Sequence, residues 1–435
     1  MAVVAQRSRT SSTPVEQANY NHFVWDVAWY GIACAATARF MQYYAIKMGA
    51  DAMVLGLIVA LPQLILMFAT MLSPWWSRRY PETTTAVIWP ALCQRFIFLL
   101  PAFTPLFPLS LRVPWLIFAV CLPSIGQGMA STIFLMMMRE TITPERLSPL
   151  FNRRIMVFNI GMMSGALGFG FLLEHVRFPF NYSLMFLGSF TFAMFSLWHV
   201  VKIKRLEQPP RATSTSTTIP KVVIVKSRSL KEVLSDKRLL SVLLVVVVMH
   251  LAQSFISAPQ PMHLANLGAK EGFLAVLGMV ELAASGLITL LLQHWLKRWG
   301  ALRVMIGALV MMSASALLIA NAHVLWITLV GAALGGASWT CGSIAVLEFY
   351  TQRTDRTDVQ ATMLWHQLLF LSMFVGPMIG SLVVQVGISP FHAMLIGGGL
   401  RLIGAVVAIF GVAWLDNQGR KQKRKNDEWS EPLRG

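Results

Sequence analysis

Charge is what this chain has least of. Only 13% of its 435 residues are Asp, Glu, Lys or Arg, where about 25% is usual for a soluble domain. Acidic residues are the scarcer sign, 19 against 36 basic. Cysteine is close to absent. Cys34, Cys93, Cys121 and Cys341 are the only four, and their spacing matches no zinc or redox pattern. That excludes a disulfide scaffold and leaves four small packing groups in apolar surroundings. Also missing are a phosphate-binding glycine loop ending in Lys-Ser/Thr, a histidine pair at metal spacing and a nucleophile elbow. Nothing therefore points to an enzyme, a cofactor, a metal or an ATP-driven step.

What is abundant is apolar side chain. The hydrophobic fraction is 56% and the mean hydropathy is +0.61, more than the interior of a soluble fold of this length can hide. A helix crossing the hydrocarbon core needs about 20 predominantly apolar residues. Six such spans lie at roughly 23–46, 52–73, 84–107, 114–136, 154–173 and 181–201. Six more lie at roughly 239–260, 272–294, 304–321, 324–347, 361–386 and 393–415. Many are apolar on every face, so the alternation of a membrane barrel is absent. The expected fold class is all-α, a polytopic membrane protein with twelve transmembrane helices.

A net charge of +17 and a pI near 10.2 would ordinarily suggest nucleic acid, but the positions of the bases give another account. With the N-terminus inside, 29 of the 36 bases fall in inner segments and four (Lys47, Arg112, Arg177 and Lys270) in outer loops. Lys and Arg hold loops on the cytoplasmic side. Both termini are thus expected in the cytoplasm, membrane lipid is the expected surrounding partner, and nucleic acid is unnecessary. Residues 1–20 have no apolar core before a small-residue cleavage site, so no signal peptide is expected there.

Spans 6 and 7 are separated by a long stretch containing the low-complexity ATSTSTTIP (Ala212–Pro220) and the basic SRSLKEVLSDKR. The latter is expected to form a short amphipathic helix at the inner surface. The resulting division is a cytoplasmic segment 1–20, a six-helix bundle 21–203, a basic linker 204–238, a second bundle 239–416 and a basic tail 417–435. The halves also repeat. At an offset of 219, Gly49 falls on Gly268, Ala50 on Ala269, Trp76 on Trp295, and Arg78 and Arg79 on Lys297 and Arg298. At an offset of 211, the Gly161, Gly165 and Gly170 region of span 5 falls on the Gly376, Pro377 and Gly380 region of span 11. Repeated membrane halves commonly enclose a site near the midplane.

Twelve spans, a six-plus-six division, a long basic central loop and paired basic loops after spans 2 and 8 resemble the major facilitator superfamily over approximately residues 20–418. Its signature after span 2, Gly-x-x-x-Asp-Arg-x-Gly-Arg-Lys, is kept in part. Arg79 matches, while Arg78 replaces the Asp and Pro81 the Gly. After span 8, Arg298 and Gly300 match and Lys297 replaces the Asp. These bases suit lipid phosphate or the end of a neighbouring helix. Spans 5 and 11 are similar to the family's antiporter signature through Gly161, Gly165 and Gly170, and more closely through Gly376, Pro377 and Gly380. Small residues four apart also simply let helices approach.

The resemblance implies two pseudo-symmetric bundles, a monomer, and secondary active transport of a small solute by alternating access, ion (proton) coupled. Export or antiport is left open. The alternative is a non-transporting receptor or membrane assembly scaffold of the same fold, suggested by the departures from the signature loops.

Polar groups inside spans are costly and are the candidates for the pathway. Asp26 and Arg39 share span 1 but stand about 20 Å apart along its axis. Glu281, mid-span 8, has no charged neighbour within eight residues, so it must be kept protonated or hold a cationic partner. His250 and Gln253 share a face of span 7, just before Pro259 and Pro261, which break that helix where a gate could form. Gln127, Trp339, His366 and Gln367 complete the candidate lining. Arg95 and Arg401 lie in spans that are peripheral in the family, so charge pairing with a neighbouring helix is expected of them. Trp75, Trp76, Trp295 and Trp299 read as interfacial anchors.

Overall fold

A computed structural model describes residues 13–206, 230–354 and 359–430. Among the described residues there are helices and no strand. We number the long helical runs α1 (14–47), α2 (Ala52–Ser77), α3 (Thr83–Leu106), α4 (Leu109–Thr141), α5 (Pro144–His175) and α6 (Phe180–Val201). The second half supplies α7 (Lys237–Asn266), α8 (Glu271–Trp299), α9 (Ala301–Ala320), α10 (Leu325–Arg353), α11 (Val359–Gln385) and α12 (Pro390–Ser430). Eleven are individually long and apolar enough to cross a membrane. α1, divided by a π-helical stretch at Ala36–Phe40, is the twelfth.

Local chemistry explains the helix ends. Thr13 caps α1, its hydroxyl accepting from the Glu16 amide at 3.2 Å, with Pro14 in the first turn. Asp51 accepts from the Val54 amide at 2.9 Å to start α2, and Asp236 from the Arg238 amide at 3.0 Å to start α7. α7 breaks after Phe255 and resumes at Pro259, as the two prolines led us to expect. Several helices outrun the apolar spans: α5 begins at Pro144, ahead of residue 154, and α12 runs on to Ser430. Of the amphipathic helix expected before span 7, the described part is Leu230–Ser235. The Ala212–Pro220 linker lies outside the described residues.

The repeat is visible atom by atom at the turns after α1 and α7. Gly49 has φ +89° and Gly268, its mate at offset 219, has φ +79°. The Ala50 amide donates to Ala45 O at 2.9 Å, and the Ala269 amide to Leu264 O at 3.0 Å. Each helix ends in the same left-handed glycine cap.

Packing within each half repeats as well. Gly161 and Gly165 of α5 lie directly against the backbone of α1, where a Cβ would stand 2.7 Å from Ala28 O or 2.5 Å from Ile32 O. Gly376 and Gly380 of α11 lie in the same way against Leu251, Ser254 and Phe255 of α7. Gly170 packs across the halves against Ala275 of α8, and Pro377 of α11 against Gly56 of α2. The α2–α11 and α5–α8 pairs are thus the main seams between the bundles.

The apolar cores show how the bundles meet. Towards the face where α1 ends and α8 begins, one cluster draws on both halves, with Tyr44, Tyr182 and Phe186 beside Phe255, Leu264 and Leu274. Towards the face that carries the first turn of α1 and the last turns of α12, there are two clusters, one from each half. The halves are fused on the far face and have separate cores on the terminus-bearing face. Trp75 and Trp299 are exposed at helix ends there, and Trp295 stacks on Trp299 at 5.6 Å. Trp76 instead donates its indole N–H to Ala86 O at 2.9 Å, tying α2 to α3.

Candidate functional site

The site begins with a defect in a helix. Single π turns inside α-helices mark functional positions more often than chance, and the one in α1 carries Arg39. Arg39 Nη1 donates to Glu281 Oε2 of α8 at 2.6 Å, an ion pair that joins the two bundles. Of the two conditions open to Glu281, the structure has the cationic partner. The guanidinium lies over Gly278, one turn before Glu281, where a Cβ would stand 2.7 Å from Nε. A side chain at position 278 would push the guanidinium from this crossing, which the glycine leaves open. Gly336 of α10 backs the Glu281 main chain in the same manner. Neither glycine was singled out from the sequence.

One cavity borders the pair, and a second adjoins that cavity. The first, of about 190 Å³, is lined by Arg39, Tyr43, Gln260 and Glu281. The second, of about 370 Å³, is lined by Thr37, Gln63 and Gln127 among apolar side chains. Ala38, Gln42 and Ser257 belong to both, and Gln42 Nε2 donates to Ser257 O at 2.7 Å across the halves. Gln127 lines the larger of the two. Gln42, Gln63 and Gln260 were missed, although an uncharged amide inside an apolar run is as readable a signal as a charge.

A second group of contacts seals the far face. Lys47 pairs with Glu271, and the Tyr182 hydroxyl donates to the same carboxylate at 2.9 Å. Glu174 of α5 accepts from the Gly272 amide at 3.1 Å, capping α8 from the opposite bundle. The Tyr43 hydroxyl reaches Ala269 O at 3.4 Å. Lys47 and Glu271 stand at helix ends, so by sequence they look like ordinary loop charges.

A model of the MFS_1-like family matches residues 103–395, two thirds of the chain. The protein belongs to the MFS_1-like family. No curated protein matches it. Among solved structures, the chain is similar in fold to the nucleoside transporter NupG (10% identity, TM-score 0.69, covering 91% of this chain and 99% of that one). It is likewise similar to the POT family transporter PepTSo (13%, 0.68, 93% and 98%). A third is the xylose transporter XylE from E. coli (13%, 0.66, 91% and 97%). At these identities the likeness shows the fold, twelve helices in two six-helix bundles, and an integral membrane protein.

Several candidate residues of this MFS_1-like chain lie away from the cavities between the bundles. Asp26 is buried inside the first bundle. Its carboxylate accepts from Arg154 Nη1 at 3.0 Å and the Ser196 hydroxyl at 2.7 Å, with Arg95 Nη2 at 3.7 Å. Asp26, expected on the pathway, stands in an interior network of the first bundle, beside a cavity of about 150 Å³ that it lines with Tyr30, Gln94 and Arg154. The cause is Arg154: because α5 starts at Pro144, this base belongs to the helix and turns inward. Arg95 also donates to Ala193 O at 2.9 Å and to Ser196 Oγ at 2.7 Å, tying α3 to α6.

Arg401 departs from charge pairing. It donates to Met312 O at 2.6 Å and to the Gln253 side-chain oxygen at 2.7 Å, with Ala252 O and Gln253 O at 3.4 Å. Among the described residues no carboxylate meets it. Gln253 is thereby committed to Arg401. His250 is buried, with Nδ1 at 2.9 Å from Val246 O and its ring edge-on to Trp339 at 5.7 Å; both are packed inside the second bundle. His366 is exposed and bonded to Thr362 O at 2.9 Å, and neither it nor Gln367 lines the two cavities.

At the signature loops, Arg79 stacks its guanidinium 3.7 Å over the Trp75 ring. Lys297 and Arg298 occupy the last turn of α8, where cations favour the helix end. Gly300, at φ +79°, turns the chain into α9. Among the described residues no cluster of metal-ligating side chains occurs.

Proposed function

We propose that the protein is a secondary active transporter of a small solute, working by alternating access and coupled to protons. The observation that carries this reading is the Arg39–Glu281 pair, a charged clasp between two repeated bundles, bordering a cavity below a sealed far face. The excess of bases on the terminus-bearing segments supports a cytoplasmic placement of that face, and on that reading the state described opens inward. Solved relatives of this fold are named as transporters of nucleosides, peptides and xylose.

The clasp can be opened by one proton. While Glu281 is ionised, it holds Arg39 and keeps α1 against α8. Protonation removes the charge that binds the guanidinium, and in a medium of low dielectric that is a large fraction of the attraction. The bundles are then free to rock about the cavity, with Lys47–Glu271 and Glu174 parting as the far face opens. Proton binding and bundle orientation thus become linked equilibria.

Purified protein in liposomes should accumulate a solute when a pH gradient is imposed. Glu281→Gln, which cannot ionise, should still exchange solute across the membrane but lose acceleration by the gradient. Unaltered coupling in that variant would sink the proposed role of Glu281.

A further inference from the structure

Three glutamines in and beside the cavities are unusual. Gln63 of α2, Gln127 of α4 and Gln260 of α7 line the two adjoining cavities, and among the described residues none of their side-chain amides has a hydrogen-bond partner. All three are half-buried and face the cavity space rather than being closed off in the core, so their amides are available to something polar that occupies it. Thr37 and the free oxygen of Gln42 add to the same wall. Arg39 and Glu281 belong to the lining of the smaller cavity, and the lining of the cavity of about 370 Å³ holds no charged residue. The two pair with one another through Nη1 and Oε2, which leaves the Arg39 Nε donor buried without a partner but leaves neither cavity with a net charge to offer a ligand. Apart from Ser257, the rest of the larger cavity's wall is apolar, including Ile58, Val59, Pro62 and Leu66.

We infer that the transported solute is uncharged, with several hydroxyl or amide groups on one side and an apolar face on the other, and that Gln63 and Gln127 select it. This rests on the transport reading above. Each amide offers both donors and acceptors, which suits a solute that presents both. A free anion or cation would meet no unpaired counter-charge here and would carry its full desolvation cost into the cavity. The cavity volume of about 370 Å³ falls in the usual range for small-molecule sites. The Arg39–Glu281 clasp is left to couple the bundles, separate from recognition.

The test compares binding with uptake. Binding of uridine, D-xylose, lactate, choline and alanyl-alanine to the detergent-solubilised full chain is measured by calorimetry, and uptake of the same probes in proteoliposomes. The expected result is binding and uptake of uridine or D-xylose, with dissociation constants weakened about tenfold by Gln63→Leu and by Gln127→Leu, one lost hydrogen bond each. Gln63→Glu keeps the shape of the side chain and should exchange preference from the uncharged probe towards choline, which guards against a variant that merely folds poorly. Binding and uptake confined to lactate, choline or alanyl-alanine, with both leucine variants unchanged, would overturn the inference and leave the transport reading standing. Binding of uridine or D-xylose without uptake would keep the recognition site and overturn transport. Neither binding nor uptake of any probe would overturn both.

Discussion

Each bundle buries one arginine where its first, third and sixth helices meet, and the two are neutralised in opposite ways. In the first half Arg95 reaches from α3 towards α1 and α6, and finds Asp26 together with a second base, Arg154. In the second half Arg401 reaches from α12 towards α7 and α9, and finds carbonyl oxygens and Gln253. The repeat preserved the junction and the need for a multivalent donor. It preserved neither the helix that carries the donor nor the charge that answers it. Backbone carbonyls near the middle of a membrane helix are already used once, so a guanidinium sharing them draws the helices together without a carboxylate. The first half holds two bases against one acid, and its cohesion depends on that acid.

The largest effect should therefore come from Asp26. Asp26→Ala leaves the buried Arg95, and the half-buried Arg154 beside it, without their anion, and removing one partner of a buried pair costs about 3–5 kcal/mol. Thermal unfolding in detergent should show loss of the cooperative transition or a large fall in Tm. Arg401→Leu removes a buried charge together with its desolvation cost, leaving carbonyls that keep their helical bonds. We expect about 1–3 kcal/mol. An Arg401→Leu penalty equal to that of Asp26→Ala would break the distinction between the two junctions.

The clasp between the halves comes next. Gly278→Val places side-chain atoms where the Arg39 guanidinium lies, so the pair with Glu281 cannot close as it does now. We expect a modest loss of stability, about 1–3 kcal/mol for overpacking, and slowed, weakly coupled uptake. Cysteine pairs across α1 and α8 should report a shifted bundle equilibrium by cross-linking yield. A Gly278→Val protein with native coupling would show that the contact seen at 2.6 Å does not link the two halves functionally.

These contrasts also explain what could be read beforehand. The twelve crossings are legible because apolar runs of the required length are rare by chance, and Gly49 and Gly268 announce the repeat. Arg39, Glu281 and Gln127 stand out as polar groups that a membrane helix tolerates only for a reason. Their pairing was illegible, since Arg39 and Glu281 are 242 residues apart and meet through a π turn and a glycine that no periodicity announces. The surroundings of Asp26 were illegible because apolar windows end where helices do not. Arg154 stands at the very edge of its apolar window, where a base reads as part of the loop, and this hides the partner that draws the carboxylate inward. Lys47 and Glu271 were overlooked for the same reason, each being a charge at a helix end whose partner lies in the other bundle.

The smallest expected effects fall where the halves are most alike. Gly49→Ala and Gly268→Ala each place a side chain in the left-handed region, which costs an L residue about 1–2 kcal/mol. No heavy atom lies within 4 Å of the position a Cβ would take at either glycine, so the backbone term is the whole of the cost. The two substitutions should therefore lower Tm by similar amounts. They lie at corresponding turns with separate partners, so the double variant should show the sum within a few tenths of a kcal/mol. Unequal single effects would mean that one turn carries load the other does not, most simply through Ala269, which accepts the Tyr43 hydroxyl from the opposite bundle. Tyr43→Phe in the Gly268→Ala background separates the two accounts: if the excess at Gly268 comes from that contact, it disappears when the hydroxyl is gone.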